Sequence, residues 1–447
     1  MNTMHKKSDI IVAQATPYGR SAVAIIRISG DGSKELVSRR LKKKLEHGKL
    51  AVNTFIAQEF TENLMAVCFD APKSYTGEEV VELFPHGNPT VCDGIMSALV
   101  ADGARMATRG EFTKRAFLNG KVNLMQCEAL ADIIDAQTAE QLRYGNARYD
   151  SKYKSLEEVE RSLNDALGRV EAALHYGDEL EGEDIDGLDD EVKNAVESCI
   201  SRLEREMSGF AGGKIVNDGF KVALIGEPNV GKSTLLNAMI GSDRAIVTPI
   251  AGTTRDVIDG EYVYNGRKFV IIDTAGLKEE TSDEVERIGI DRAKAAATAA
   301  DAVIFMTANG KTTEKIRFSR GDSQQSVAVC NKCDETKDFG TDYRAAESGG
   351  IMQISAKNGI NITALKQKLY DLCPKDYGCI CNDRQFDCVV RCLDSLKAAR
   401  TECEKSDGLE IVAAVLYEAY TAILDLYGEK ADEKIISSVF ERFCVGK

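Results

Sequence analysis

The hydrophobic pattern changes character along the chain. From Asp9 to about Gly120, strand-like apolar runs at 9–15 and 21–29 alternate with helical stretches between turn clusters, which predicts an α+β domain over residues 1–120. After Lys121 the composition shifts to Glu, Ala, Leu and Lys. Leu156, Val159, Leu163, Leu167, Val170 and Leu174 recur at spacings of three and four, predicting a long amphipathic helix. Val192, Val196, Ile200, Leu203 and Met207 predict a second, and the acidic stretch 177–190 between the two reads as a solvated loop. From Phe220, short apolar runs at 221–225, 269–272, 302–305, 327–329 and 351–354 alternate with helical segments, the pattern of a parallel sheet. Beyond Pro374 the helical composition returns. The expectation is a multidomain α+β and α/β protein: an α+β domain at 1–120, a helical domain at 121–215 and 376–447, and an α/β domain at 216–375 inserted into it.

Composition narrows this picture. At 447 residues the chain has room for about three domains. A hydrophobic share of 43% with only 7 prolines, and no apolar run near the roughly 18 residues that span a bilayer, predicts a soluble globular protein. The polar residues before Asp9 lack the apolar stretch of an export signal, and 13 scattered cysteines read as reduced thiols, so the expected compartment is the cytoplasm, with no membrane partner. A net charge of −14 disfavours broad contact with bare nucleic acid, since phosphate contacts need clustered Lys and Arg. If RNA is the substrate, a partner shares the work of holding it.

The chemistry concentrates in the α/β segment. Gly226-Glu227-Pro228-Asn229-Val230-Gly231-Lys232-Ser233 fits G-x-x-x-x-G-K-[ST], follows an apolar strand and precedes the helical run that Thr234 opens. Loop N–H groups and the helix N-terminus would face phosphate, Lys232 would reach the β- and γ-phosphates, and Ser233 would ligate Mg²⁺. Alone, this motif admits any nucleoside triphosphate. Asn331-Lys332-Cys333-Asp334 narrows it to guanine, because the Asp334 carboxylate accepts from both N–H groups on one guanine edge and an adenine leaves it unpaired. Ser355-Ala356-Lys357 fits the supporting loop. Cys330 and Cys333 spell C-x-x-C, but no second pair stands at zinc spacing.

Between these motifs lie Thr248-Pro249-Ile250-Ala251-Gly252-Thr253-Thr254 and Asp273-Thr274-Ala275-Gly276. Thr254 would supply a second Mg²⁺ oxygen, Asp273 would hold the ion through water, and the Gly276 N–H would sense the γ-phosphate. The order of the four motifs implies GTP binding and hydrolysis. After Gly276 stands Leu277, where many GTPases carry a water-orienting glutamine. Glu284 and Glu286 follow; a carboxylate acting through a bridging water is one reading, and a solvated acidic helix start is the other.

These motifs, with the terminal Phe443-Cys444-Val445-Gly446-Lys447, and with Arg27-Ile28-Ser29-Gly30, Ser74-Tyr75-Thr76-Gly77-Glu78 and Arg115-Ala116-Phe117-Leu118-Asn119-Gly120-Lys121, resemble the tRNA-modification GTPase family MnmE, also called TrmE, over the whole chain. The resemblance implies a potassium-stimulated GTPase and homodimer. With a flavin-dependent partner, MnmG, it would form a heterotetramer and add an aminomethyl-type (carboxymethylaminomethyl) group at carbon five of the wobble uridine of certain tRNAs. It further implies K⁺ at Asn229, Thr248, Ile250 and Thr253, a catalytic role for Glu286, and a formyl-tetrahydrofolate held by Arg27, Glu82, Lys121 and Lys447. Without it, Arg27 and Lys121 read as ordinary surface charges.

Cys444 makes the terminus read as C-a-a-X, but Gly446 is not aliphatic and Lys447 is an unusual final residue. The resemblance assigns this cysteine to the modification chemistry instead. The chain departs from the family at His86-Gly87-Asn88, where His-Gly-Gly is usual, at Tyr18 and Ser21, and at Tyr417. A ribosome-assembly or signalling GTPase, acting as a nucleotide-dependent binding switch, is the alternative; the single G-x-x-x-x-G-K-[ST] and the lack of a basic C-terminal domain speak against it.

Overall fold

The computed structural model describes residues 9–150, 154–176, 188–241, 260–273, 298–308, 325–335, 351–405 and 408–447. The chain divides into two compact units, one of residues 1–134, 146–193 and 394–447, the other of residues 135–145 and 194–393.

The first unit is built on strands β1 (Ile11–Gln14), β2 (Ile26–Ser29), β3 (Ala51–Ile56), β4 (Thr61–Phe69), β5 (Val80–Phe84) and β6 (Arg105–Met106). They form one sheet in the order β3-β4-β5-β2-β1-β6, antiparallel except for the β1–β6 pair. Strand alternation sorts the faces. Ile26, Ile28, Val81, Leu83, Leu64, Ala66 and Phe55 turn into a core with residues of helices α1 (Ser33–Ser38) and α2 (Pro89–Ala101). The intervening Arg27 and Glu82, directly opposite in register, fall on the other face. There, helices α3 (Glu111–Leu118) and α4 (Leu124–Asp135) follow, and Phe112 packs with Ile11 and Ala13. Asn88 caps α2: its side chain accepts the Thr90 N–H at 3.0 Å from an extended backbone (φ −119°).

Helix α5 (Ala139–Tyr149) leads to α6 (Lys154–Tyr176) and α7 (Leu188–Ser208). The stripe foreseen on α6 is buried from Leu156 to Val170, while Leu174 at its end is half-buried. On α7, Val192 through Leu203 are buried and Met207 is half-buried. An ion triad ties the first unit: the Asp132 carboxylate of α4 accepts from Arg148 at 2.6 Å and from Arg442 at 2.7 Å. Breaking the buried Asp132–Arg148 pair by removing one partner costs several kcal/mol, whereas Arg442 reaches it from the surface.

In the second unit, α8 (Phe210–Asp218) runs into strands β7 (Phe220–Gly226), β8 (Gly260–Tyr264), β9 (Arg267–Asp273), β10 (Ala302–Ala308), β11 (Gln325–Asn331) and β12 (Ile351–Gln353), with α9 (Lys232–Gly241) after β7 and α10 (Ile362–Leu372) after β12. The sheet order is β12-β11-β10-β7-β9-β8, parallel except for the β8–β9 hairpin. The parallel strands were legible as apolar runs. β8, with its alternating Glu261-Tyr262-Val263, was not among them, and it turns into β9 through Asn265 and Gly266, both left-handed as a tight hairpin requires.

The same hairpin anchors the sheet. Arg267, nearly buried, donates to both Glu140 oxygens at 3.1 and 2.8 Å and to the Pro374 carbonyl at 2.7 Å. Helices α11 (Asp383–Lys405), α12 (Leu409–Tyr427) and α13 (Glu433–Glu441) complete the chain, with α12 packed on α6.

Candidate functional site

The nucleotide motifs gather at the C-terminal ends of adjacent parallel strands, where ligands of such sheets bind. β7 ends at Gly226 and the phosphate loop runs to Lys232, the first residue of α9. Its glycines are needed for space: a Cβ on Gly226 would lie 2.5 Å from the Met306 carbonyl oxygen, and one on Gly231 would lie 2.4 Å from the Asn331 Nδ2. Asn229 also holds a left-handed backbone (φ 65°), which curls the loop around a concave row of N–H groups. Lys232 is buried, with its ammonium donating to the Gly226 and Glu227 carbonyls at 2.9 and 3.1 Å. Ser233 and Thr234 are exposed in the first turn of α9, and Val230 is buried beneath the loop.

Asn331 laces three motifs together. Its Nδ2 donates to the Val230 carbonyl of the phosphate loop at 2.8 Å, and its Oδ1 accepts the Ala356 N–H of the supporting loop at 3.0 Å. Ile354 clamps the base loop from both ends, donating to the Cys330 carbonyl at 2.9 Å and accepting from the Cys333 N–H at 3.1 Å. Lys332 sits between them in the left-handed region (φ 62°). The Asp334 carboxylate, exposed beyond the clamp, is held below the usual carboxylate range by the Ser355 hydroxyl, then by the Lys357 charge and the Asn358 amide. It therefore stays ionised at neutral pH, as a pure acceptor must. The Asn358 hydrogen bond to Asp334, at 2.9 Å, was missed in the sequence, although Asn358 directly follows the Ser355-Ala356-Lys357 motif.

Asp273 closes β9, beside β7. Residues 248–254, 274–276 and 286, to which the sequence assigns Thr248, Pro249, Ile250, Ala251, Gly252, Thr253, Thr254, Thr274, Ala275, Gly276 and Glu286, lie outside the described residues.

A second site forms on the first unit's sheet. Arg27 Nε donates to Glu82 Oε1 at 2.8 Å, and the guanidinium lies 5.3 Å from the Tyr75 ring centre and 5.7 Å from that of Phe112. Arg27 is thus no loose surface charge: its side chain is 20% exposed and fixed on both flanks. Glu82, Lys121, Tyr75, Phe69 and Val80 line a pocket of 360 Å³, and Lys121 donates to the Pro72 carbonyl at 3.1 Å. The chain terminus arrives here. Arg27 donates to the Gly446 carbonyl at 3.4 Å, Val445 bridges to Arg109, and the Cys444 carbonyl accepts from Gly110 at 3.4 Å. Gly446 has no alternative residue: φ is +99°, and a Cβ would lie 2.4 Å from the Gln14 carbonyl oxygen. All 13 cysteines are free thiols, and Cys444 alone is exposed. Two of the four residues assigned to folate, Glu82 and Lys121, line this pocket; Arg27 reaches it through Glu82, and Lys447 follows the seated Gly446 without lining it.

A phosphate loop, a guanine-reading loop and a supporting loop laced by one asparagine at the ends of a parallel sheet define a guanine-nucleotide-hydrolysing protein, a GTPase. The other domains say which kind. The family described as "GTP-binding protein TrmE N-terminus" matches residues 10–121, and that described as "MnmE helical domain" matches residues 124–444. The tRNA modification GTPase MnmE of Thermotoga petrophila is 34% identical over 454 residues, covering 98% of this chain and 100% of the relative. That of Bdellovibrio bacteriovorus is 32% identical over 481 residues, covering 99% and 98%. The chain belongs to the MnmE (TrmE) family of tRNA-modification GTPases. Among the described residues no helix is long and apolar enough to cross a membrane.

Proposed function

We propose that this chain, a GTP-hydrolysing enzyme of tRNA modification, couples hydrolysis in the domain at 216–375 to modification of wobble uridine, carbon five receiving a carboxymethylaminomethyl-type group. The observation that carries the GTPase part is Asn331, which makes phosphate and base recognition one structure. In that site the loop N–H groups and Lys232 hold the phosphates while Asp334 accepts from the guanine edge. Ser233, exposed at the start of α9, and Thr254 supply hard oxygens suited to Mg²⁺, which would neutralise charge on the β- and γ-phosphates. The left-handed Asn229, with Thr248, Ile250 and Thr253, offers amide and carbonyl oxygens of the kind that replace the hydration shell of K⁺. Glu286 positions the attacking water.

The pocket beside Arg27 fits a formyl-tetrahydrofolate. Tyr75 and Phe69 supply flat apolar walls, Glu82 supplies an acceptor for a pterin edge, and Lys121 supplies a cation for a glutamyl carboxylate. Bound there, the folate would supply a one-carbon unit. The chain's own contribution is to seat the terminus by Arg27 and Gly446, which brings Cys444 to the rim of the first unit's sheet. We further propose a homodimer, working with the flavin-dependent MnmG in a heterotetramer on tRNA in the cytoplasm. Val52, Ile56 and Met65 leave an apolar patch open on the face that carries Arg27 and Glu82, a surface suited to a second copy.

Nucleoside mass spectrometry of bulk tRNA tests the reading in cells carrying the wild-type chain, no chain, or Cys444→Ser. Loss of the five-substituted uridine in both altered strains is the expected result; unchanged tRNA in the deletion strain would end it. No observation favours the ribosome-assembly or signalling alternative.

A further inference from the structure

Residues 355–360 form a closed turn. The Ser355 N–H donates to the Ile360 carbonyl at 3.2 Å and the Ile360 N–H returns to the Ser355 carbonyl at 3.0 Å, with Gly359 left-handed at φ +71°. Inside it the Asn358 N–H donates to the Ser355 hydroxyl at 3.3 Å, and below it Asn361 donates to the Gln353 carbonyl at 2.8 Å. The turn is therefore tied to itself and to β12. From it the Asn358 amide reaches 24 positions back along the chain to Asp334 Oδ2. The direction of this bond is fixed by chemistry, because an ionised carboxylate only accepts and an amide must present its NH₂.

A carboxylate offers about four lone-pair sites. At Asp334 the Asn358 amide takes one, on Oδ2, at 2.9 Å. The N1–H and 2-amino donors of guanine need two of the others. Asp334 is otherwise exposed, and an exposed carboxylate with nothing behind it rotates freely and loses entropy when a base fixes it.

Resting on the reading of Asp334 as the guanine-recognising residue, we propose that Asn358 is a positioning residue for base selectivity. It holds the Asp334 carboxylate so that two acceptor sites face the base, and it never touches the nucleotide. Its effect is thus felt most by a ligand that uses both carboxylate sites. Inosine diphosphate, which lacks the 2-amino group, uses one.

The test is equilibrium binding of GDP and inosine diphosphate to the full chain by calorimetry. Asn358→Ala is expected to weaken GDP about fivefold, the worth of one net hydrogen bond, and inosine diphosphate by less, so that the preference for GDP narrows. Asn358→Asp keeps the shape but replaces the donor with a second carboxylate, and it is expected to narrow the preference further. Equal losses for both nucleotides would show a role only in loop stability, and no loss would show none; either overturns the inference. Asp334→Ala separates this from the parent reading. If it erases the preference for GDP while the Asn358 variants do not, the inference alone fails. If it leaves the preference intact, the reading of the base site fails and the inference with it.

Discussion

The two six-stranded sheets present functional side chains in opposite ways. The parallel sheet of the second unit uses its strand ends: Gly226, Asp273 and Asn331 each close a strand, and the chemistry sits on the loops that follow. The mostly antiparallel sheet of the first unit uses a face, with Arg27 and Glu82 in mid-strand, opposite one another, partners arriving from Tyr75, Phe112 and Gly446, and Lys121 lining the same pocket as Glu82. A strand end can be built from consecutive residues, because a loop folds locally. A face cannot, because neighbours across a sheet are distant in sequence. The first kind of site tolerates relocation as a cassette, and the second depends on every element that packs around it.

The largest break in this comparison is expected from Lys232→Ala. GTP hydrolysis, followed by phosphate release, should fall on the order of 10³-fold through loss of the charge proposed to hold the β- and γ-phosphates, while the proposed folate binding to the first unit stays unchanged. Loss of folate binding as well would mean that the two sites are not separable.

Next is Glu111, which anchors the packing around the face site. Burial alone would raise its carboxyl, but hydrogen bonds from Arg105, the Thr108 N–H and Arg115 overcome burial and hold it at about 2, against 4.5 unperturbed. A lowered folded value means that the stabilisation is complete above pH 4.5 and is lost as pH falls towards 2. Glu111→Gln should cost on the order of 3 kcal/mol at pH 7, with the difference from wild type shrinking as the pH approaches 2. Thermal melts at pH 7, 5, 4 and 3 read this directly; a constant difference would mean that the ion cluster contributes nothing by charge.

Arg27→Ala should weaken folate binding about tenfold by freeing Glu82 and the terminus together, with GTP hydrolysis within about twofold of wild type. Equilibrium dialysis with a labelled folate measures it. The smallest effect is expected from Asn88→Gly. Because Asn88 caps α2 and glycine is tolerated at a cap, stability should drop by only a few tenths of a kcal/mol in urea unfolding, with folate affinity unchanged. A large change in affinity would show that this position shapes the pocket.

Much of this was legible beforehand for a stated reason. The central parallel strands, such as β7 and β10, are buried on both faces and read as continuous apolar runs, whereas β8, an antiparallel edge strand, alternates and escaped notice. The α6 stripe was correct from Leu156 to Val170 and overran at Leu174, where the apolar spacing continues after the packing has ended. Arg27 carried a signal that could have been used: a lone charge between the buried Ile26 and Ile28, matched by Glu82 between Val81 and Leu83, marks two charges on one face of adjacent strands.

The sequence by itself determined the GTPase class, because the phosphate-loop and guanine motifs are short contiguous stretches whose glycines, lysine and aspartate answer to a ligand's chemistry. Only the tertiary structure decided that Asn331 joins those loops, that Asn358 backs Asp334, and that a glycine near the chain terminus seats beside Arg27. Each of these is a hydrogen bond or close approach between residues far apart in the chain, and folding alone brings such partners within reach.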